Sequence, residues 1–283
     1  LTTTNNGPIK IVTLNGSITV DDGTTGSVGI AANGTGDVLL EARGVGSDVI
    51  VNAAVSSGSG HVTLNAVDDV DVNASITTGG SGTVYVAGDG VSLDASVTTL
   101  NGDVLISSTQ EITQTAAINS TSGDVGLIAG TTITQSSSGD ITTASGDVLI
   151  EAGTDWTMST GTVITAGGGD FDGKALSGDL ALGRINAART ALSASGDISD
   201  ANGTTLNVDG TSLSMRAGEF IGNHDNTNGT PSSNTNAIDT QVTTLAALAG
   251  TGIYIEEANG LTIDTVASVN VSVDGPNRAN FNS

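Results

Sequence analysis

The sequence predicts an all-β chain wound as a right-handed parallel β-helix, a solenoid with coils of about 22 residues. Three observations carry this reading. Residues 36–42 spell GDVLLEA and residues 146–152 spell GDVLIEA, 110 positions apart. Glycines that open such units fall at Gly36, Gly60, Gly82, Gly102, Gly123, Gly146 and Gly169, at intervals of 20 to 24 residues, and five intervals carry the first heptad onto the second. Within each unit apolar and polar residues alternate, the period of half-buried strands.

In residues 60–80, Val62, Leu64 and Ala66 fall on one side, with His61, Thr63 and Asn65 on the other. After a turn at Asp68 and Asp69, the set Val70, Val72, Ala74 and Ile76 alternates with Asp71, Asn73, Ser75 and Thr77. One such unit cannot bury its own apolar face, but stacking the next unit on it completes a core and pairs the backbone of every strand. Parallel crossovers fix the hand as right-handed. At a spacing of ~4.8 Å, about 13 coils would make a rod of roughly 60 Å. Propeller blades need units twice as long, and leucine-rich or helical repeats need signatures that are missing.

ITQT at 112–115 and ITQS at 133–136 lie one coil apart, and parity turns Gln114 and Gln135 inward, where stacked amides would satisfy each other. One coil on, Trp156 and Met158 take these positions, and the tryptophan is expected as a core plug. After about residue 170 the rhythm loosens, with GD pairs at 169, 178 and 196 and a parity slip at Gly183. Residues 219–239, polar and without alternation, read as an excursion loop. Alternation resumes with Ile253, Ile255, Leu261 and Ile263 as inward candidates, and VNVSVDG from Val269 reads as a final strand. Residues 1–283 are thus expected to form a single elongated segment, an interior piece of a larger protein.

Composition agrees. The chain is 37% hydrophobic but only 2% aromatic, with 40 glycines and 3 prolines, so strand and turn chemistry dominates and little interrupts a ladder. Seven basic against 30 acidic residues give a formal charge of −23, which argues against nucleic acid or an anionic membrane as partner. The charge reads either as a solvated surface or as a surface that loads divalent cations. Absence of cysteine excludes disulfides, thiolate catalysis and cysteine-ligated zinc. No stretch approaches the roughly 18 apolar residues of a membrane span, so no membrane insertion is expected.

GDVLIEA, ITQTAAI, GDITTASG and TGIYIEEANGLTID together resemble the filamentous-hemagglutinin-like repeats of very large secreted proteins of Gram-negative bacteria, over about Gly36 to Asp264. The resemblance implies a β-helical adhesin, exported to the outer cell surface or the extracellular space, with roles in adhesion, aggregation or contact between cells. The resemblance does not transfer which surface is touched; the partners expected are the other domains of the same large protein and cell-surface glycans or proteins. The unpaired strand edges at both ends of a rod add end-to-end or lateral self-association.

No residue is assigned a catalytic or cofactor-binding role, and the chain is not expected to be an enzyme. The alternative is a carbohydrate-binding or polysaccharide-degrading β-helix. For it, Asp170, Asp172 and Lys174 share one outward parity with Arg184 and Arg189 about a coil away, while Phe171 points inward. No cofactor is required. Calcium is the one candidate ion, because GDFDGK, SDANG and NHDNTNG supply the oxygen donors it takes, although none completes a known loop and no ligand set is assigned. His61 and His224 stand isolated and are read as exposed.

Overall fold

The computed structural model describes residues 1–23, 28–223 and 236–273. Every regular element among them is a β-strand, and no helix is long and apolar enough to cross a membrane. The strands stack as a parallel β-solenoid with three ladders running along its axis. The first ladder starts with Ile9–Thr13, Val38–Ala42 and Val62–Ala66 and ends at Thr262–Ile263. The second runs from Ile18–Val20 to Gly252–Ile253 as an 11-stranded sheet. The third runs from Val28–Ala32 to Ile255–Glu257. It merges with the first because Val163–Ala175 and Arg184–Ala194 pass the corner between them without a break, apart from a register irregularity between Ala166 and Asp170.

The register reproduces the repeat. Val38, Val62, Val84, Val104, Val125, Val148 and Phe171 pair in succession, the spacing of the opening glycines. Those glycines form a column of their own. A Cβ on Gly60, Gly82, Gly102, Gly123, Gly146 or Gly169 would lie 2.0–2.4 Å from the carbonyl oxygen of the glycine one coil earlier, so the corner closes only without a side chain. Buried hydroxyls finish it: Ser57, Ser120 and Thr143 accept the N–H of Gly60, Gly123 and Gly146 at 2.7–2.9 Å.

The alternation places the core as expected except at the C-terminal end, where Ile253 and Ile263 lie in the last strands of their ladders and are exposed, with Ile255 and Leu261 only partly buried. Val62, Leu64, Val70, Val72 and Ile76 are fully buried. Leu180 and Leu182 point inward, Gly183 turns the corner, and Ile185 rather than Arg184 resumes the inward set. Four expectations need correction. The second ladder is eleven strands deep rather than thirteen. Ile9 pairs with Val38 and Leu213 with Leu245, so those two coils take 29 and 32 residues. The GD pairs at 178 and 196 precede the second-ladder strands Leu180–Leu182 and Ile198–Asp200, a different corner from that of Gly169, while the rhythm does loosen there, the coil from Leu180 to Ile198 taking 18 residues. The excursion is narrower than 219–239, because Phe220–Ile221 and Ile238–Gln241 are ladder strands; residues 224–235, His224 included, lie outside the described residues.

The fourth correction is larger. Residues 269–273 are not a ladder strand. Val269, Val271 and Val273 are buried, while Asn270 and Ser272 are exposed, and the valines pack against Tyr85, Leu105 and Leu149 on the outside of the first ladder. Thr63, which shares that outward register with Tyr85, is also buried.

Candidate functional site

The outer surface is organised at its corners by carboxylates. In a parallel ladder the residue before each strand leaves an amide facing the previous coil, and this amide needs an acceptor. Asp103, Asp124 and Asp147 supply it: each Oδ1 accepts the N–H of the equivalent residue one coil later, Asp124, Asp147 and Asp170, at 2.8–2.9 Å. A second corner repeats the device, with Asp155 and Asp179 accepting from Asp179 and Asp197, and Asp197 from Phe220, all at 2.8 Å. At the third, Asp140 accepts from Val163 and Asn207 from Asp239 at the same distance. Sequence reading took Gly-Asp as a turn signal; the acceptor role shows only once coils are stacked. His61 sits in the first column and stands in for aspartate, its Nδ1 accepting the N–H of Thr83 at 3.2 Å while its own N–H donates to Asp37 Oδ1 at 2.7 Å.

Stacking like charges raises their affinity for protons. Burial pushes the Asp124 carboxyl above its ordinary value; the amide of Asp147 opposes the shift, and the charges of Asp103 and Asp147 add to it. Asp239 is pushed up to about 6 by burial first, then by Glu256, its register partner, and Asp200.

The residues weighed for catalysis separate into ion pairs. Asp170 is held by Arg189. Asp172 lies 2.9 Å from Lys174, which also sits 3.7 Å from Glu151. Arg184 belongs to the third ladder and faces Asp209 at 3.8 Å, away from the others. Asp172 faces outward, as its parity predicts, but is only 4% exposed. Phe171 is inward and fully buried, as parity required.

The same pairs bear on calcium. In GDFDGK both aspartates are matched by the protein's own cations, and in SDANG the Asp200 carboxylate accepts from Asn202 N–H at 2.6 Å and Asn207 Nδ2 at 2.8 Å. NHDNTNG lies, beyond Asn223, outside the described residues. A group that sequence reading missed does converge: carboxylate oxygens of Asp48, Asp68 and Asp69 lie within 4.8 Å of one another. Burial, then Asp69, Asp48 and Asp89, raise the Asp68 carboxyl above its usual range.

Inside the solenoid the glutamine pair behaves as expected. Gln135 Nε2 donates to Gln114 Oε1 at 2.8 Å, and the Trp156 indole N–H donates to Gln135 Oε1 at 2.8 Å. Trp156 is fully buried against Phe171, ring centroids 5.7 Å apart, and is a core plug. No described aromatic side chain is exposed.

The third ladder carries the most regular outward face. Thr77, Thr98, Asn119, Thr142, Thr165 and Asn186 are successive register partners, one hydroxyl or amide per coil. No family model, curated protein or solved structure matches the chain.

Proposed function

We propose that this chain is a stalk or fibre segment of a very large secreted or surface protein of a Gram-negative bacterium, displayed outside the cell and making contacts with cell-surface glycans or proteins. The fold is compatible with a structural or adhesive role. The observation that carries the reading is the in-register column from Thr77 to Asn186 on an uninterrupted core. A rigid array of weak hydroxyl and amide donors and acceptors, spaced ~4.8 Å apart, gains strength by multivalency rather than from a single deep pocket. One hollow among the described residues, about 500 Å³ and open to solvent, lies between Ala194, Arg216 and Leu248 and is not an enclosed pocket. Among the described aromatic residues Tyr85, Trp156 and Phe171 are buried and Phe220 and Tyr254 half-buried, so few offer the stacking platform that the carbohydrate-binding or polysaccharide-degrading alternative would use.

The test replaces Thr77, Thr98, Thr142 and Thr165 with alanine together. These side chains point away from the core, so the rod should melt as before while attachment of the immobilised protein to cells and glycan surfaces falls at least several-fold. Full attachment by the variant would overturn the assignment of this face.

A further inference from the structure

We propose that residues 269–273 form an exchangeable strap, and that the apolar stripe on the outside of the first ladder is the docking surface for the strap of a second copy of this chain. The inference rests on the path of this segment and not on the adhesive reading.

The path is defined at both ends. Ile263 pairs with Leu245 in the last strand of the first ladder. Val273 reaches Gly126, where an added Cβ would meet Val273 Cβ at 3.1 Å. From Gly126 the ladder register climbs through Leu149, Asp172, Ala191, Ser214 and Ala246, so the chain travels back over about six coils, roughly 29 Å at ~4.8 Å each. Ten residues span at most ~33–36 Å. The strap is therefore nearly fully extended and runs along the rod axis, across the strands. Asp172, only 4% exposed, lies on that route.

Its attachment is by side chains. Val269, Val271 and Val273 enter the cluster with Tyr85, Leu105 and Leu149, which is separate from the main core. Among the described residues no backbone hydrogen bond ties residues 266–273 to a ladder. The hinge is open: Asp264, Thr265, Ala267 and Ser268 are exposed, and the last backbone bond is Asp264 N–H to Leu245 O at 3.2 Å. Among the described residues the segment is held by three valines on an exposed tether, and such an attachment opens at lower cost than a ladder strand. Once open, it finds on a neighbouring copy the same stripe and the same Gly126 seat, and exchange of identical contacts is a low-cost route to a dimer. The occupant is argued from the fit itself: valines at alternate positions match this stripe, and every copy carries them.

Two full-length variants test this. Gly126→Val fills the seat and frees the strap, giving a donor. Val269→Asp/Val271→Asp/Val273→Asp disables the strap and bares the stripe, giving an acceptor. All four changes lie on the outside of the rod, so circular dichroism melts should stay close to wild type. Sedimentation velocity of an equimolar mixture at tens of micromolar should show a species of twice the 27.7 kDa chain mass that neither variant forms alone. Absence of that species with both rods folded would overturn the proposal, as would its persistence when the donor also carries the three aspartates. Hydrogen exchange on the wild type decides independently of the variants. Amides of 266–273 should exchange at least about 100-fold faster than those of Val148–Ala152, and equal protection would refute an exchangeable strap.

Discussion

Arg189 clasps Asp170 with two guanidinium N–H groups, Nε donating to Oδ1 at 2.9 Å, and so ends the column in which Asp103, Asp124 and Asp147 each accept the amide of the next coil. The two kinds of contact are worth different amounts. Asp147→Ala strands the amide of Asp170 and should cost about 1–3 kcal/mol, whereas Asp147→Asn keeps an acceptor oxygen and should cost less. Arg189→Ala should leave the midpoint close to wild type, because its side chain is 45% exposed and an exposed pair gains little. Urea melts of the three variants give the ranking, and an Arg189 loss exceeding that of Asp147→Ala would reverse the argument.

The buried amides predict coupling. Gln135→Leu leaves the Trp156 indole N–H and Gln114 Oε1 without each other's bridge, at about 1–3 kcal/mol for each orphaned group. Trp156→Phe alone orphans Gln135 Oε1 and opens space beside Phe171. In the double variant the indole N–H and the amide oxygen vanish together, so the combined loss should fall short of the sum of the single losses by at least about 0.5 kcal/mol. Strict additivity in chemical denaturation would mean the bond contributes nothing.

The core was legible because period two leaves one reading for Val62, Leu64, Val70 and Val72, and because a 21-residue offset brings Gln114 over Gln135. The corner aspartates were legible only as turns. What they accept is an amide one coil away, and no local pattern specifies it. The GD pairs at 178 and 196 looked irregular for the same reason: a coil has more than one corner, and the dipeptide does not say which. VNVSV misled differently. Alternation reports that one side is covered, and for Val269, Val271 and Val273 the cover is the outside of another coil rather than the next rung of a ladder.

Asp239 fixes the sign of the pH dependence. Its folded pKa, about 6, lies above the ordinary carboxyl value of 3.8 that it takes in the unfolded chain, so the folded state holds the proton more tightly. The cost of the charged form, set first by burial and then by Glu256 and Asp200, is present above about pH 6 and is relieved as pH falls toward 4. The raised carboxyls of Asp71 and Asp124 act in the same direction. The melting midpoint should therefore rise between pH 8 and about pH 5. Asp239→Asn should raise the midpoint at pH 8 and flatten that slope; an unchanged slope would assign the effect to the remaining acidic surface.

Calcium separates a specific site from a charged surface. The Asp48, Asp68 and Asp69 oxygens are the best-converged donors among the described residues, but calcium takes six to eight oxygens, and this trio is partly engaged already. Asp69 Oδ1 accepts the N–H of Gly90 at 2.9 Å, and Asp48 accepts from Ser17 Oγ at 3.3 Å. Screening of a −23 chain needs no such site and does not distinguish one divalent ion from another. Millimolar calcium and magnesium should accordingly raise the thermal midpoint by the same amount over chelator, in the wild type and in Asp68→Asn/Asp69→Asn alike. A shift produced by calcium but not by magnesium, and lost in that variant, would instead make the trio an ordered ion site and the rod ion-dependent.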